Sequence, residues 1–424
     1  MGDDTTFLMH RLQSGAQVVG QPMGGVESAA LGISIGAGAR DENPAEFGVS
    51  HFVEQMLFRG TETLDARQLS DRFDSLGINY DSSSGIEMTM LTAIMLGDRA
   101  PAALELLGNV VRRAAFPADA VDNVRSLIQQ ERRQREDHAA HRVLEVVRQE
   151  FYRDTPLGHD MLGTPESVDS MSREDLVRYW SKYYTAPNLI FSIAGNFDWE
   201  ALIGQLEDLT AAWPAGSGPA IFSSPAMHGG VTVLAKDIEQ ENIAMAFPGV
   251  AIGDPRYYAA ALVAQALGGG MNSRLFQEVR EKRGLAYGVQ ARLDGLSRSG
   301  LFRIYVGTAA ERAHESIEVI LEELGKLEAE GLHPEELELG KIRLKSSQVM
   351  RSESTSGRMM ANLRSWWFEG RLKSPREVQR LIDQVSLDDV NALVRDLDIR
   401  QNLAIVALGP RSEDELFGGV FAGG

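Results

Sequence analysis

The sequence predicts an α+β fold made of two homologous domains. Three observations point there. The chain has 424 residues, too many for one ordinary core. Stretches with strand and helix character mix without the regular β-α alternation of a parallel sheet. One spacing also recurs. The helix start Ser172-Arg-Glu-Asp-Leu-Val has a counterpart in Ser386-Leu-Asp-Asp-Val-Asn, 214 residues on. The strand ending at Gly195 has one ending at Gly409, again 214 residues on. One offset at two places suggests a duplicated unit of about 200 residues.

Taken in order, Leu12 to Gln21 alternates around Ser14-Gly15 and predicts a hairpin. Ala29 to Ala37 is a strand, and Gly38 to Pro44 a loop by its Gly, Asp and Pro content. A helix follows with His51 on it. Ala66 to Leu76 is amphipathic, with Leu69, Phe73 and Leu76 at helical spacing. Met88 to Leu96 is a strand and Pro101 to Ala114 a helix, its proline tolerated in the first turn. Ala118 to Phe151 is one or two long helices. Ser172 to Tyr183 is a helix opening on a capping box, and Leu189 to Gly195 a strand. The Gly-, Pro- and Ser-rich run 214–230 is the expected linker between domains at 1–213 and 231–424.

The formal net charge is −18, from 60 acidic and 42 basic residues. That argues against nucleic-acid binding, which needs a basic footprint. With no cysteine, disulfides and thiolate metal sites are excluded, leaving His, Asp and Glu as strong metal ligands. The start Met-Gly-Asp-Asp-Thr-Thr-Phe has neither the basic flank nor the apolar core of a secretory signal. No run of about 18 apolar residues exists, so no membrane span is expected. The expected location is cytoplasmic.

The chemistry centres on His51-Phe-Val-Glu54-Gln55. On a helix these three polar residues fall at i, i+3 and i+4 and share one face. A zinc hydrolase needs three protein ligands, an open position for water, and a carboxylate to take that water's proton. In H-x-x-E-H the histidines bind metal and the Glu is the base. Here the motif reads H-x-x-E-Q. A third ligand must come from elsewhere, and Glu131, 76 residues after Gln55, is the candidate. Taken alone, His51 would be an ordinary core histidine and Glu131 part of a solvated, charge-rich helix face. The Gly268-Gly-Gly270 triplet is no P-loop, since no Lys-Ser/Thr follows at the required spacing. His138 and His141 stand at i, i+3 on a polar helix and are expected to be exposed.

At these residues the chain resembles the insulinase (pitrilysin) family of inverted-zincin metallopeptidases. It is most similar to two-domain subunits like those of mitochondrial processing peptidase. The likeness covers nearly the whole chain: Gly36-Ala-Gly-Ala-Arg-Asp-Glu42 before the motif, Phe58-Arg-Gly-Thr61 after it, then Pro156-Leu-Gly158 and Leu162-Gly-Thr164. It is strongest from Leu267 to Tyr287. The resemblance implies two domains, each a mostly antiparallel sheet packed with helices. It implies zinc as the family's cofactor, with metal positions at His51, Gln55 and Glu131 and Glu54 as general base. It also implies that Arg280 and Tyr287 reach across a closed chamber to hold the substrate carbonyl. Those roles suit a guanidinium fork and a phenol, both donors to an oxyanion.

Two positions depart from the family. Gln55 stands where the second metal-binding His belongs, and an amide oxygen is a poor zinc donor beside imidazole. Val124 stands where many active members carry a supporting Glu. The zinc side is thus degraded and the Arg280/Tyr287 side intact. The leading expectation is a zinc-deficient chain, inactive alone, that supplies Arg280 and Tyr287 to a homologous partner in a heterodimeric zinc endopeptidase. One alternative is an active homodimeric zinc endopeptidase using His51, Glu54 and Glu131. The other is a non-catalytic scaffold on a retired peptidase fold.

Overall fold

The computed structural model describes residues 6–418, and in them eleven strands form two sheets. The first sheet holds β1 (Leu8–Arg11), β2 (Gln17–Pro22), β3 (Ser28–Ile35), β4 (Asn79–Ser84), β5 (Thr89–Leu96) and β6 (Leu189–Gly195). Its order is β1-β2-β6-β3-β5-β4. The second holds β7 (Gly230–Ala235), β8 (Gln240–Pro248), β9 (Ala286–Gly295), β10 (Gly300–Ala309) and β11 (Ala404–Gly409), in the order β7-β11-β8-β10-β9.

With β1 set aside, the two orders are the same. In each sheet the last strand of the half lies parallel to the first and antiparallel to the second. All other pairings are antiparallel. A parallel pair needs a long crossover, which the helices between β2 and β6, and between β7 and β11, supply. The fold is α+β, and the expected duplication is visible in it. Gly195 and Gly409 end equivalent strands. Ser172 and Ser386 cap equivalent helices, each hydroxyl accepting from the backbone N–H of an Asp three residues on, at 3.2 and 3.1 Å.

The chain folds into two compact units that interleave along the sequence. One comprises residues up to 132, 159–222 and 349–376; the other comprises 133–158, 223–348 and 377 onward. A single cut at 214–230 therefore does not describe them: each unit also takes a helix from the opposite half. The reason lies in the sheets. Strand β3 is buried along nearly its whole length, and β6 along all of it, so both faces must be covered. Helix Thr355–Glu369 packs on β2, β3 and β6, and helix Ala139–Phe151 on β8, β10 and β11. Buried polar contacts fix the first of these. The Ser192 hydroxyl donates to the Met359 carbonyl at 2.9 Å, and the Asn362 amide to Gln21 Oε1 at 2.9 Å.

The long segment 118–151 is two helices, Ala118–Asp137 and Ala139–Phe151, broken at His138. Strand β4, Asn-Tyr-Asp-Ser-Ser-Ser, has no apolar run to announce it. It is an edge strand whose residues alternate exposed and half-buried. No helix among the described residues is long and apolar enough to cross a membrane.

Gly32 lies under the exchanged helix, and a Cβ there would collide with the Met359 sulfur. Gly32→Val is expected to lower stability by about 1–3 kcal/mol, read from urea unfolding. Pairing it with Met359→Ala should give a loss smaller than the two single losses added, because the two sites share one space.

Candidate functional site

Helix Val49–Leu57 carries the motif. Its Phe52, Val53, Met56 and Leu57 are fully buried, each contributing about 1.5–3 kcal/mol of apolar burial. That face fixes the roll of the helix, and with it the direction of His51 and Glu54. Two features fix the N-terminus. Gly48 has φ +91°, and a Cβ there would stand 2.7 Å from the Leu162 carbonyl oxygen. The buried Glu42 carboxylate accepts from the backbone N–H of Gly48 at 2.8 Å and of Ser50 at 2.9 Å. Burial drives the Glu42 pKa well above the usual carboxylate range, against the pull of those two bonds.

His51 and Glu54 are buried, and the side chain of Glu131, on helix Ala118–Asp137, is 36% exposed. His51 Nε2 lies 2.9 Å from Glu131 Oε2. His51 Nδ1 lies 3.1 Å from the Ser84 hydroxyl and 3.4 Å from Glu54 Oε2. Glu54 accepts from the Ser82 hydroxyl on its other oxygen, and the Gln55 amide nitrogen donates to Glu54 Oε2 at 3.1 Å. The structure thus brings His51, Glu54, Gln55 and Glu131 together. Val124 is instead a core residue, 1% exposed.

Burial alone would lower the His51 pKa. Hydrogen bonds and charge from Glu131 and Glu54 outweigh it and lift the pKa to about 9. A metal at Nε2 would therefore have to displace the proton that this nitrogen shares with Glu131. The donor set is also short. Gln55 presents its amide nitrogen to Glu54, and no group of three or more His, Asp or Glu among the described residues is arranged to hold a metal ion. The residues at this site do not fit a zinc ion.

Ser82 and Ser84 escaped the sequence reading. Their signal was weak: the alternation Tyr80, Ser82, Ser84 in a polar stretch before the apolar β5. Tyr80 anchors that face by stacking on Phe58, with ring centroids 4.9 Å apart. His138 and His141 are exposed, their rings stacked at 5.5 Å, and they join no site.

Arg280 and Tyr287 lie together in the other unit. Arg280 is on the π-helical turn Phe276–Lys282 and Tyr287 is the second residue of the edge strand β9. Such turns are frequent at functional sites. The Arg280 guanidinium sits over the Tyr287 ring at 5.0 Å and over the Phe276 ring at 4.8 Å. Tyr287 is 87% exposed. The guanidinium has only a long ion pair, 3.9 Å to Glu281, so an exposed phenol beside a stacked guanidinium leaves both groups with donors to offer.

Residues 21–165 match the model of the insulinase family (peptidase family M16), and residues 170–344 match that of the peptidase M16 inactive domain. The chain belongs to the insulinase family. A protein of Bacillus subtilis named an uncharacterized zinc protease is 31% identical over 94% of this chain and 97% of its own length. A Rickettsia bellii protein of like name is 32% identical over 91% of this chain and 93% of its own. The fold is shared with solved structures. A Pseudomonas fluorescens peptidase M16 inactive domain superposes with a TM-score of 0.88 at 22% identity, covering 96% of this chain and 98% of that one. A Helicobacter pylori protease does so with 0.88 at 20%, covering 96% and 100%. Within this insulinase-family chain, the first matched segment carries His51, Glu54, Gln55 and Glu131, and the second carries Arg280 and Tyr287.

The His51 pKa sets a pH dependence. A raised histidine stabilises the fold fully below its unfolded value near 6.5, and the contribution is lost as pH rises through about 9. Histidine NMR titration is expected to find His51 still protonated at pH 7. Glu131→Gln should shift its midpoint downward and flatten the stability profile between those two pH values.

Proposed function

We propose that this chain binds peptides as the zinc-deficient, Arg/Tyr-supplying subunit of a heterodimeric zinc endopeptidase. The observation that carries this reading is the His51 site. One imidazole is tied to Glu131, and an amide at position 55 hydrogen-bonds Glu54 where a metal-binding nitrogen is needed. Arg280, stacked on the exposed Tyr287, supports a role in gripping substrate. In that role the guanidinium and phenol donate to a peptide carbonyl oxygen, and more strongly to the oxyanion that hydrolysis develops there; a zinc ion held by the partner would supply the activation of water. Strand β4 adds support. It is a sheet edge lying against His51 and Glu54 through Ser84 and Ser82, a place where an extended peptide can add as a further strand.

A second reading is an active zinc endopeptidase with Glu54 as general base. It is favoured by the retained approach of His51 to both Glu54 and Glu131.

Metal analysis of the purified chain after dialysis against zinc separates the two. The first reading expects less than about a tenth of an equivalent of zinc, and a gain in affinity of at least about a hundredfold in Gln55→His. Stoichiometric zinc in the unmodified chain, with chelator-sensitive cleavage abolished by Glu54→Gln, would establish the second. Arg280→Ala and Tyr287→Phe are each expected to weaken binding of a fluorescent unstructured peptide about tenfold by anisotropy. Unchanged affinity in both would point to a scaffold role.

A further inference from the structure

The Gly268-Gly-Gly270 step lacks the P-loop pattern, yet a Cβ at each of its positions would meet a close neighbour. A Cβ on Gly268 would strike the backbone of Ala291 in β9. One on Gly269 would strike the Gln265 amide, which donates to the Gly269 carbonyl at 2.8 Å. One on Gly270 would strike the Arg343 guanidinium. The last two glycines thus admit polar side chains from two helices, Tyr257–Gly268 and Pro334–Ser352, to one spot.

A cavity of about 190 Å³ opens at that spot, lined by these two side chains, by Asn272 and Glu335, and by the apolar Ala266 and Leu339. Glu336 also borders it, but its carboxylate is taken by Arg274 through two bonds of 2.6 Å. Arg343 makes no ion pair or hydrogen bond among the described residues. A half-buried guanidinium without an ionic partner, beside the Asn272 amide and an apolar wall, is a donor fork able to take a carboxylate.

We propose that this pocket binds a free α-carboxylate carried on a small aliphatic residue, as at the C-terminus of a peptide or in a free amino acid. Arg343 and Asn272 donate to the carboxylate, and Ala266 and Leu339 face the side chain. Glu335, at the rim, accepts the ammonium when the ligand is a free amino acid. The pocket is formed independently of Arg280 and Tyr287, so it stands whether or not those residues grip a substrate.

Calorimetric titration of the full chain tests this with three probes: N-acetyl-Ala-Ala-Leu as the free acid, the same peptide as its C-terminal amide, and free leucine. At least one acid-bearing probe should bind at least about tenfold more tightly than the amide. Arg343→Ala and Asn272→Ala should remove that preference, whereas Arg280→Ala should keep it. The tighter of the two acids identifies the source of the carboxylate. No binding by any probe, equal binding of acid and amide, or a preference that survives Arg343→Ala or is lost in Arg280→Ala would overturn the proposal. Gly270→Ala gives a second handle, since displacing the guanidinium should weaken the acid as Arg343→Ala does. Far-ultraviolet circular dichroism confirms that each variant compared is folded.

Discussion

Both sheets depend on having their central strands covered on two faces. Strands β3 and β6 are mostly apolar and buried along nearly their whole length, so both faces need cover. The cover on one face is a helix contributed by the opposite half of the sequence, Thr355–Glu369. Gly32 is small because Met359 lies over it. The same constraint leaves the periphery free. Strand β4 needs no cover, so it can be polar and present Ser82 and Ser84 to the motif helix.

That helix is positioned by parts of different character. Its apolar face sets the roll, and Glu42 and the left-handed Gly48 set the N-terminus. The polar face then carries a charge arrangement rather than a metal arrangement. His51 sits between Glu54 and Glu131, and Gln55 donates to the same Glu54 oxygen that His51 approaches. A second imidazole at position 55 would bring a nitrogen lone pair to this place; the amide brings a donor, which satisfies the carboxylate instead. One letter thereby changes what Glu54 is bonded to as well as the count of ligands.

The second unit shows a different use of the shared topology. Its edge strand β9 is the counterpart of β4, but its polar groups are the exposed Tyr287 and the adjoining Arg280 stacked on it, with no helix-borne histidine as their partner among the described residues. Nearby, the Gly268-Gly-Gly270 step makes room for side chains from two helices. Duplication supplied one scaffold, and small local differences gave its two copies separate chemical surfaces.

Much of this was legible in the sequence because it rests on local pattern. The Ser172 and Ser386 capping boxes, the apolar strands ending at Gly195 and Gly409, and the grouping of His51 with Glu54 each depend on residues close in the chain. The approach of Glu131 to His51 was legible only through resemblance to a family, since nothing local ties residues so far apart. Other features belong to the tertiary structure alone. The exchange of helices between halves depends on which sheet face is left bare, and the sequence does not state which helix will cover it. Strand β4 is held by pairing with β5, and its polar residues carry only a weak alternation of their own. Gly268 is small because the Ala291 backbone occupies the space beside it. Local composition writes the elements into a sequence; the packing of distant segments decides which side chains meet.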